Sequence, residues 1–158
     1  MDWYDLTDKY HEMTFAHDGD LESLPEEWQR ELAAVWRLEA DVNNGGYLQF
    51  ITNWGVGSHR YGLAALQKMG ADKMAKIVAD CYSKLTSALE IDKLSHDQLQ
   101  ALMPNPMIDR DGNTVKEAGS TLPESVLADV GTLSYEFMDY PDDVAELGLK
   151  YYGPFVTK

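Results

Sequence analysis

The chain has 158 residues, of which 44% are apolar, and its 27 acidic and 13 basic side chains give a formal net charge of -14. This length supports one domain with its own core, and the apolar content excludes a disordered acidic tail. The negative charge disfavours direct contact with nucleic acid or an anionic membrane, and it favours basic proteins or cations as partners. We therefore expect a single acidic domain over residues 1–158.

The compartment follows from cysteine usage and from the N-terminal residues. Cys81 is the single cysteine, which excludes an internal disulfide framework and suits a reducing compartment. Residues 1–5 have neither the basic nor the apolar region of a signal peptide, and no apolar run approaches the ~20 residues that span a bilayer. The sequence predicts a cytoplasmic protein.

Residues 2–14 predict an amphipathic helix with an acidic back. Its apolar stripe contains Trp3, Leu6, Tyr10 and Met13, and its acidic side contains Asp2, Asp5, Asp8 and Glu12. A polar loop over residues 17–20 follows. Ser23, Pro25, Glu26 and Glu27 then form a typical helix start.

The second predicted helix runs to Val42, and the run Asn43-Asn44-Gly45-Gly46 ends it because these residues tolerate left-handed dihedrals. Its apolar stripe consists of Trp28, Leu32, Val35, Trp36 and Val42. We then expect a short helix over 47–54, a turn over 55–57, and a helix that Ser58 caps and Gly70 closes.

The clearest helical periodicity spans residues 71–92, where Cys81 lies on the apolar stripe. A short helix from Ser95 to Met103 follows, and residues 107–117 surround the turn Asp111-Gly112-Asn113, which is typical of a small hairpin. Pro123 and Pro141 each open a further helix, the last ending near Tyr152. The predicted fold class is all-α, with seven to eight helices and one small β-hairpin.

Charge is distributed unevenly along these elements. Residues 1–58 contain 12 acidic and three basic side chains, and residues 94–158 contain 11 acidic and four basic ones. Residues 59–93 contain four acidic and six basic side chains, including Lys68, Lys73, Lys76 and Lys84. The negative charge therefore lies in the two ends of the chain.

The sequence contains no recognisable catalytic constellation, so we expect neither an enzyme nor a bound cofactor or metal. His11 and His17 lie near acidic residues, but their spacing matches no metal motif. Residues 109–113 resemble the start of a calcium loop, but glycine is at the fourth position, and a hairpin turn explains them better. Glu39 lies close to an apolar stripe and needs hydrogen-bond donors, for which we expect the amides of residues 43–46.

An acidic helix face can approximate a row of phosphates. Side chains three or four positions apart on a helix have Cβ atoms ~5–6 Å apart, and phosphates on one DNA strand rise by ~3.4 Å each. The alternative is an acidic face that is simply solvated. The predicted phosphate substitutes, which would bind a basic partner, are Asp2, Asp5, Asp8, Glu12, Glu26, Glu27 and Glu31.

Residues 39–53, with the sequence EADVNNGGYLQFITN, resemble the signature of a bacterial domain family whose best-known member is a dimeric, acidic DNA mimic. The segments Ala64-Ala65-Leu66 and Met69-Gly70-Ala71 fit the same pattern. The resemblance implies an all-helical fold, a homodimer, and inhibition of a DNA-binding protein such as a helix-turn-helix repressor. It also implies structural roles for Glu39, Asn43, Asn44, Gly45, Gly46 and Gln49.

The leading hypothesis is a DNA mimic that binds a basic DNA-binding protein, such as a transcription factor, through surface carboxylates. One alternative is an immunity or antitoxin protein that neutralises a basic nuclease. Another is a small-ligand binder or enzyme that uses residues 39–49, with Glu39 as an acid or base. A deep pocket that exposes Glu39 would favour this last alternative, and a buried, hydrogen-bonded Glu39 would oppose it.

Overall fold

The computed structural model describes residues 1–157, which form seven α-helices and one antiparallel hairpin, as the sequence predicts. The helices are α1 (Trp3–Met13), α2 (Glu27–Gly45), α3 (Tyr47–Met69), α4 (Asp72–Ala88), α5 (His96–Gln100), α6 (Glu124–Met138) and α7 (Val144–Val156). Strands β1 (Met107–Ile108) and β2 (Thr114–Lys116) pair with Met107 opposite Lys116. Within these residues, no helix is both long and apolar enough to cross a membrane.

The core is centred on α2, which packs most extensively against α3 and also supports α1. Its consecutive residues Leu32, Ala33, Ala34 and Val35 are fully buried. α4 pairs with α6, and α7 contacts both α3 and α1. Because the last helix returns to the first, the N-terminal and C-terminal segments form one packed unit.

Two glycines set the path of the chain between α2 and the end of α3. Gly46, with φ +89°, separates α2 from α3, so α2 extends to Gly45 and not only to Val42. The interruption predicted at 55–57 is present as a kink at Gly55 that divides α3 into two helical parts, and it is shorter than predicted because only Gly55 has a non-helical conformation (φ 75°, ψ -175°). Ser58 therefore is not a helix cap; it is buried inside α3.

Several helix ends also differ from prediction. α4 ends at Ala88 because Leu89 is extended, and a 3-10 turn over Ile91–Lys93 follows. α7 begins at Val144 and not at Pro141, because Asp142 accepts hydrogen bonds from the first amides of α4 and Asp143 caps α7. Met13 was expected in the core, but it is 45% exposed at the end of α1.

Arg37 joins the N-terminal segment to the centre of the fold. Although it is only 2% exposed, its guanidinium donates to Thr14 Oγ1 (3.1 Å), the Gly19 carbonyl (2.7 Å), Ser58 Oγ (3.0 Å) and His11 Nδ1 (3.3 Å). All four acceptors are neutral, and burial lowers the pKa of Arg37 to about 10. This buried cation ties α1 and the loop after it to α2 and α3.

Candidate functional site

The outer side of α1 presents a row of carboxylates, which we call the acidic face: Asp2, Asp5, Asp8 and Glu12. Asp8 is half-buried and the other three are exposed, whereas Trp3, Leu6 and Tyr10 on the opposite side are in the core. At 1.5 Å per residue, the row extends over about 15 Å. The ion pairs among the described residues involve none of the four.

The acidic face has one basic neighbour and one internal structural role. Lys9 is exposed next to Asp8, and its amine lies 5.2 Å from the centre of the Tyr10 ring. Asp2 caps α1 by accepting a hydrogen bond from the Asp5 amide at 2.8 Å. Asp5, Asp8 and Glu12 remain as carboxylates that form no side-chain hydrogen bond within residues 1–157.

Acidic residues continue after α1, but part of this charge is already neutralised. Asp18, Asp20, Glu22 and Glu26 are exposed. Asp20 accepts a hydrogen bond from the Glu22 amide at 3.0 Å, and Glu22 pairs with Arg30 at 3.1 Å. Glu26 lies at the N-terminus of α2, where its backbone amide donates to the Gln29 side chain.

Two of the predicted phosphate substitutes lie in an ion-pair network. Glu27 is exposed and pairs with Lys68 at 2.9 Å; the hydrogen bond from Lys68 and its charge lower the pKa of Glu27. Glu31 is only 1% exposed, so its prediction as a surface carboxylate is wrong. It pairs with Lys68 on α3 and accepts a hydrogen bond from the Tyr152 hydroxyl on α7 at 2.8 Å. Glu31 is buried because its side of α2 is the side that packs against α3 and α7.

The signature residues surround the α2–α3 turn. Asn44 donates to Gln49 Oε1 at 3.2 Å, and Gln49 donates to Asp41 at 3.0 Å. The Tyr47 amide donates to Ser134 Oγ on α6 at 2.9 Å. A Cβ atom on Gly46 would be 3.2 Å from that same oxygen, so glycine suits both its φ and its surroundings.

The turn also forms one wall of a pocket with a volume of about 710 Å³. The opposite wall is α6, between Leu127 and Met138, and Met103, Pro104 and Asn105 close one end. Residues 43–48 of the signature line this pocket. Glu39 does not line this pocket, so the pocket lacks the acid or base that an enzyme hypothesis assigned to it.

Glu39 points away from the turn and towards α1. Its carboxylate accepts hydrogen bonds from Trp3 Nε1 at 2.8 Å and from the Tyr140 hydroxyl at 3.1 Å. The expected donors were the amides of residues 43–46, and that expectation is wrong: the Asn43 amide donates to the Glu39 carbonyl and to Tyr140. Side chains on a helix lean towards its N-terminus, which carries this carboxylate away from the residues that follow it.

A second pocket of about 270 Å³ lies where α1 meets α2, and we call it the α1–α2 pocket. It is lined by Trp3, Tyr4, Thr7, Trp36, Glu39, Ala40, Asn43 and Tyr140. Four of these eight residues are aromatic, and Glu39 is the one acidic residue among them. Burial raises the pKa of Glu39, although the hydrogen bonds from Trp3 and Tyr140 act in the opposite direction.

Sequence reasoning missed this pocket because its parts are far apart in the chain. Tyr140 is 101 residues from Glu39 and Trp3 is 36 residues from it. The periodicity of α1 and α2 identifies which residues face the core, but it does not show which of them meet. The Tyr140 hydroxyl binds the Glu39 carboxylate, and the Tyr140 backbone has a left-handed φ of 47°, which no local periodicity indicates.

The remaining candidates for chemistry lie in the core. His11 is 2% exposed and stacks on Trp36 with ring centres 3.8 Å apart, and burial lowers the pKa of His11 to about 4. Burial also raises the pKa of the Cys81 thiol to about 12. Within the described residues, no group of three or more His, Cys, Asp or Glu side chains could hold a metal ion.

Comparison with known proteins identifies one family. A family model described as DMP19-like protein matches residues 22–152. No curated protein and no solved structure matches the chain.

Proposed function

Because the chain belongs to the DMP19-like family, we propose that it is a DNA mimic that binds a basic DNA-binding protein and blocks access to DNA. The proposed partner is a transcription factor or a protein with a similar positively charged DNA-binding surface. The chain then acts by occupying this surface, without a catalytic step and without a cofactor. Direct binding to nucleic acid or to a membrane is not part of the proposal.

The observation that carries the proposal is the acidic face. Four carboxylates follow one another along about 15 Å of α1, on the side opposite the core, with no ion pair among the described residues. A partner that binds DNA arranges Lys and Arg to meet a row of phosphates. A rigid helix holds the carboxylates in place before binding, which lowers the entropic cost of association.

The basic residues elsewhere in the fold do not offset the negative charge of the acidic face. Three of the six basic residues of the central segment, Lys68, Lys76 and Lys84, pair with Glu27, Asp80 and Asp129 respectively. Their positive charge is therefore compensated locally and does not neutralise the acidic face. Of the predicted phosphate substitutes, Asp2, Asp5, Asp8, Glu12 and Glu26 remain in the proposal, Glu27 contributes only in competition with Lys68, and Glu31 is excluded by burial.

The experiment begins with capture of partners from the host lysate at low salt, followed by elution with increasing salt and mass spectrometry. A captured DNA-binding protein is then tested for release from its operator by the purified chain. We expect this release to weaken steeply as salt rises, because exposed charges are screened over ~10 Å at 0.1 M salt. A captured nuclease whose activity the chain inhibits would favour an immunity protein, and binding that does not respond to salt would contradict mimicry.

A pair of matched variants assigns the effect to the acidic face. The test variant carries Asp5→Asn, Asp8→Asn and Glu12→Gln, and it keeps Asp2 because Asp2 caps α1. The control carries Asp92→Asn, Glu117→Gln and Glu136→Gln, three exposed positions on other elements, and has the same net charge. Loss of partner binding in the test variant alone supports the proposal. Equal losses in both would show that only net charge matters.

We further propose that the chain forms a homodimer in the cytoplasm, as the family resemblance implies. Tyr151 and Phe155 on α7 are exposed aromatic residues whose ring centres are 5.9 Å apart, which supports a contact between copies. Light scattering coupled to size-exclusion chromatography measures the mass directly. A mass of one chain at micromolar concentration would contradict this part of the proposal.

A further inference from the structure

We propose that the α1–α2 pocket binds a single cationic side chain, the guanidinium of an Arg or the ammonium of a Lys, from the basic partner. The inference rests on the proposed function, because it places one residue of that partner at a defined point beside the acidic face. It adds a specific anchoring contact to an interface that is otherwise held by exposed charges.

The chemistry of the lining supports a cation. Trp3, Tyr4, Trp36 and Tyr140 surround one carboxylate, and aromatic rings attract cations through their negative faces. Both hydrogen bonds to the carboxylate come from neutral donors, the Trp3 indole and the Tyr140 hydroxyl. Within residues 1–157, Glu39 takes part in no ion pair. Glu39 is half-buried, so its carboxylate is only partly solvated, and a cation that arrives beside it gains an uncompensated charge as its partner.

The size of the pocket favours one side-chain head group. Sites for drug-sized ligands have volumes of about 300–1,000 Å³, whereas this pocket has about 270 Å³. It is therefore too small for a nucleotide or a peptide strand. The rim is accessible, because Tyr4 is 63% exposed and Tyr140 is 39% exposed.

The position of the pocket links it to the acidic face. Tyr4 and Asp8 are four residues apart on α1, so their side chains are neighbours with Cβ atoms ~5–6 Å apart. Asp8 and Glu12 have the same spacing, which makes a continuous path from the exposed carboxylates to the mouth of the pocket. In many protein interfaces a few anchor residues, often an aromatic or Arg side chain held in a pocket and surrounded by weaker contacts, dominate the affinity.

The first test uses the isolated chain and small probes. The probe is N-acetyl-arginine methylamide, and the neutral control is N-acetyl-citrulline methylamide, which has nearly the same shape. Binding is followed through the indole N–H signals in a two-dimensional NMR spectrum, since the chain has four tryptophans and two of them line the pocket. We expect the arginine probe to shift the signals of Trp3 and Trp36, with Trp28 and Trp54 as internal references.

The second test uses Glu39→Gln, which preserves shape and can still bind Trp3 and Tyr140, with Asp92→Asn as a control of equal charge change. We expect Glu39→Gln to weaken binding of the arginine probe by at least about tenfold, whereas Asp92→Asn should leave its affinity unchanged. Unchanged indole signals of Trp28 and Trp54 in the free variant would show that it is folded, because only the Trp3 indole donates to residue 39. Equal binding of the citrulline control, or equal binding by both variants, would overturn the inference.

The same variants separate this inference from the proposed function. If the DNA-binding partner also loses at least about tenfold in affinity with Glu39→Gln, the cation in the pocket belongs to the partner. A partner that binds Glu39→Gln as tightly as the wild type would overturn the inference while leaving mimicry by the acidic face intact. If the acidic-face test variant binds the partner as tightly as the wild type, in contrast, mimicry by the acidic face is rejected, and the result of the probe experiment is unaffected.

Discussion

The ion pair between Lys68 and the buried Glu31 allows a quantitative test of why Glu31 is absent from the surface. Replacing Lys68 with Met removes the cation and leaves a carboxylate that is 1% exposed with one neutral donor, the Tyr152 hydroxyl. Removing one member of a fully buried pair costs about 3–5 kcal/mol. Because the Lys68 side chain is 39% exposed, water reaches the site, and we expect the smaller loss of about 2 kcal/mol.

The assay is urea unfolding followed by circular dichroism. With a denaturant slope of about 2 kcal/mol/M, a loss of 2 kcal/mol lowers the unfolding midpoint by about 1 M urea. Lys76→Met is the matched control, because Lys76 forms an exposed pair with Asp80 within α4, and such pairs contribute under about 0.5 kcal/mol.

A double substitution tests the mechanism. If the cost of Lys68→Met is an uncompensated buried charge, adding Glu31→Gln should recover about 1 kcal/mol, since it removes that charge and keeps the shape. The reasoning is refuted if Lys68→Met unfolds at the same urea concentration as Lys76→Met, or if Glu31→Gln lowers the stability of Lys68→Met further. The first result would mean that Glu31 is solvated and available to a partner, and the second that groups other than Lys68 stabilise its carboxylate.

Three further predictions concern the core. Burial lowers the pKa values of His11 and His59 to about 4, so each folded histidine stays neutral where the unfolded chain takes up a proton. The neutral histidines contribute fully to the free energy of unfolding above pH 6.5, and about 3 kcal/mol each is lost as the pH falls towards 4. Urea unfolding at pH 7 and 5 should therefore show a smaller loss of stability for His59→Asn than for wild type. A Cβ atom on Gly148 would overlap the Trp3 ring, so Gly148→Ala should cost about 1–3 kcal/mol in the same assay, and an unchanged midpoint would contradict this packing. Because burial raises the pKa of Cys81 to about 12, its thiol should react with Ellman's reagent only after unfolding, and fast labelling of the native protein would contradict the burial.

The helices were predictable because their signals are local. Periodicity over α1, α2 and α4 identified the core sides, although Met13 is exposed, and Gly46 and Gly55 mark two of the places where the backbone leaves helical dihedrals. The hairpin followed from its turn residues in the same way. The acidic side of α1 also needed only helical spacing, since residues opposite a buried stripe must face solvent.

What depends on contacts between distant segments was beyond that reasoning. Glu31 lies on α2 as Glu27 does, but it is buried because Lys68 and Tyr152 arrive from 37 and 121 residues away. Glu39 was correctly placed near the core, yet its donors come from Trp3 and Tyr140 and not from the neighbouring turn. Composition and periodicity thus determined an acidic, helical chain with an exposed carboxylate row. Only tertiary packing decided which carboxylates remain exposed and unpaired for a partner, because burial and ion pairing depend on which helices meet.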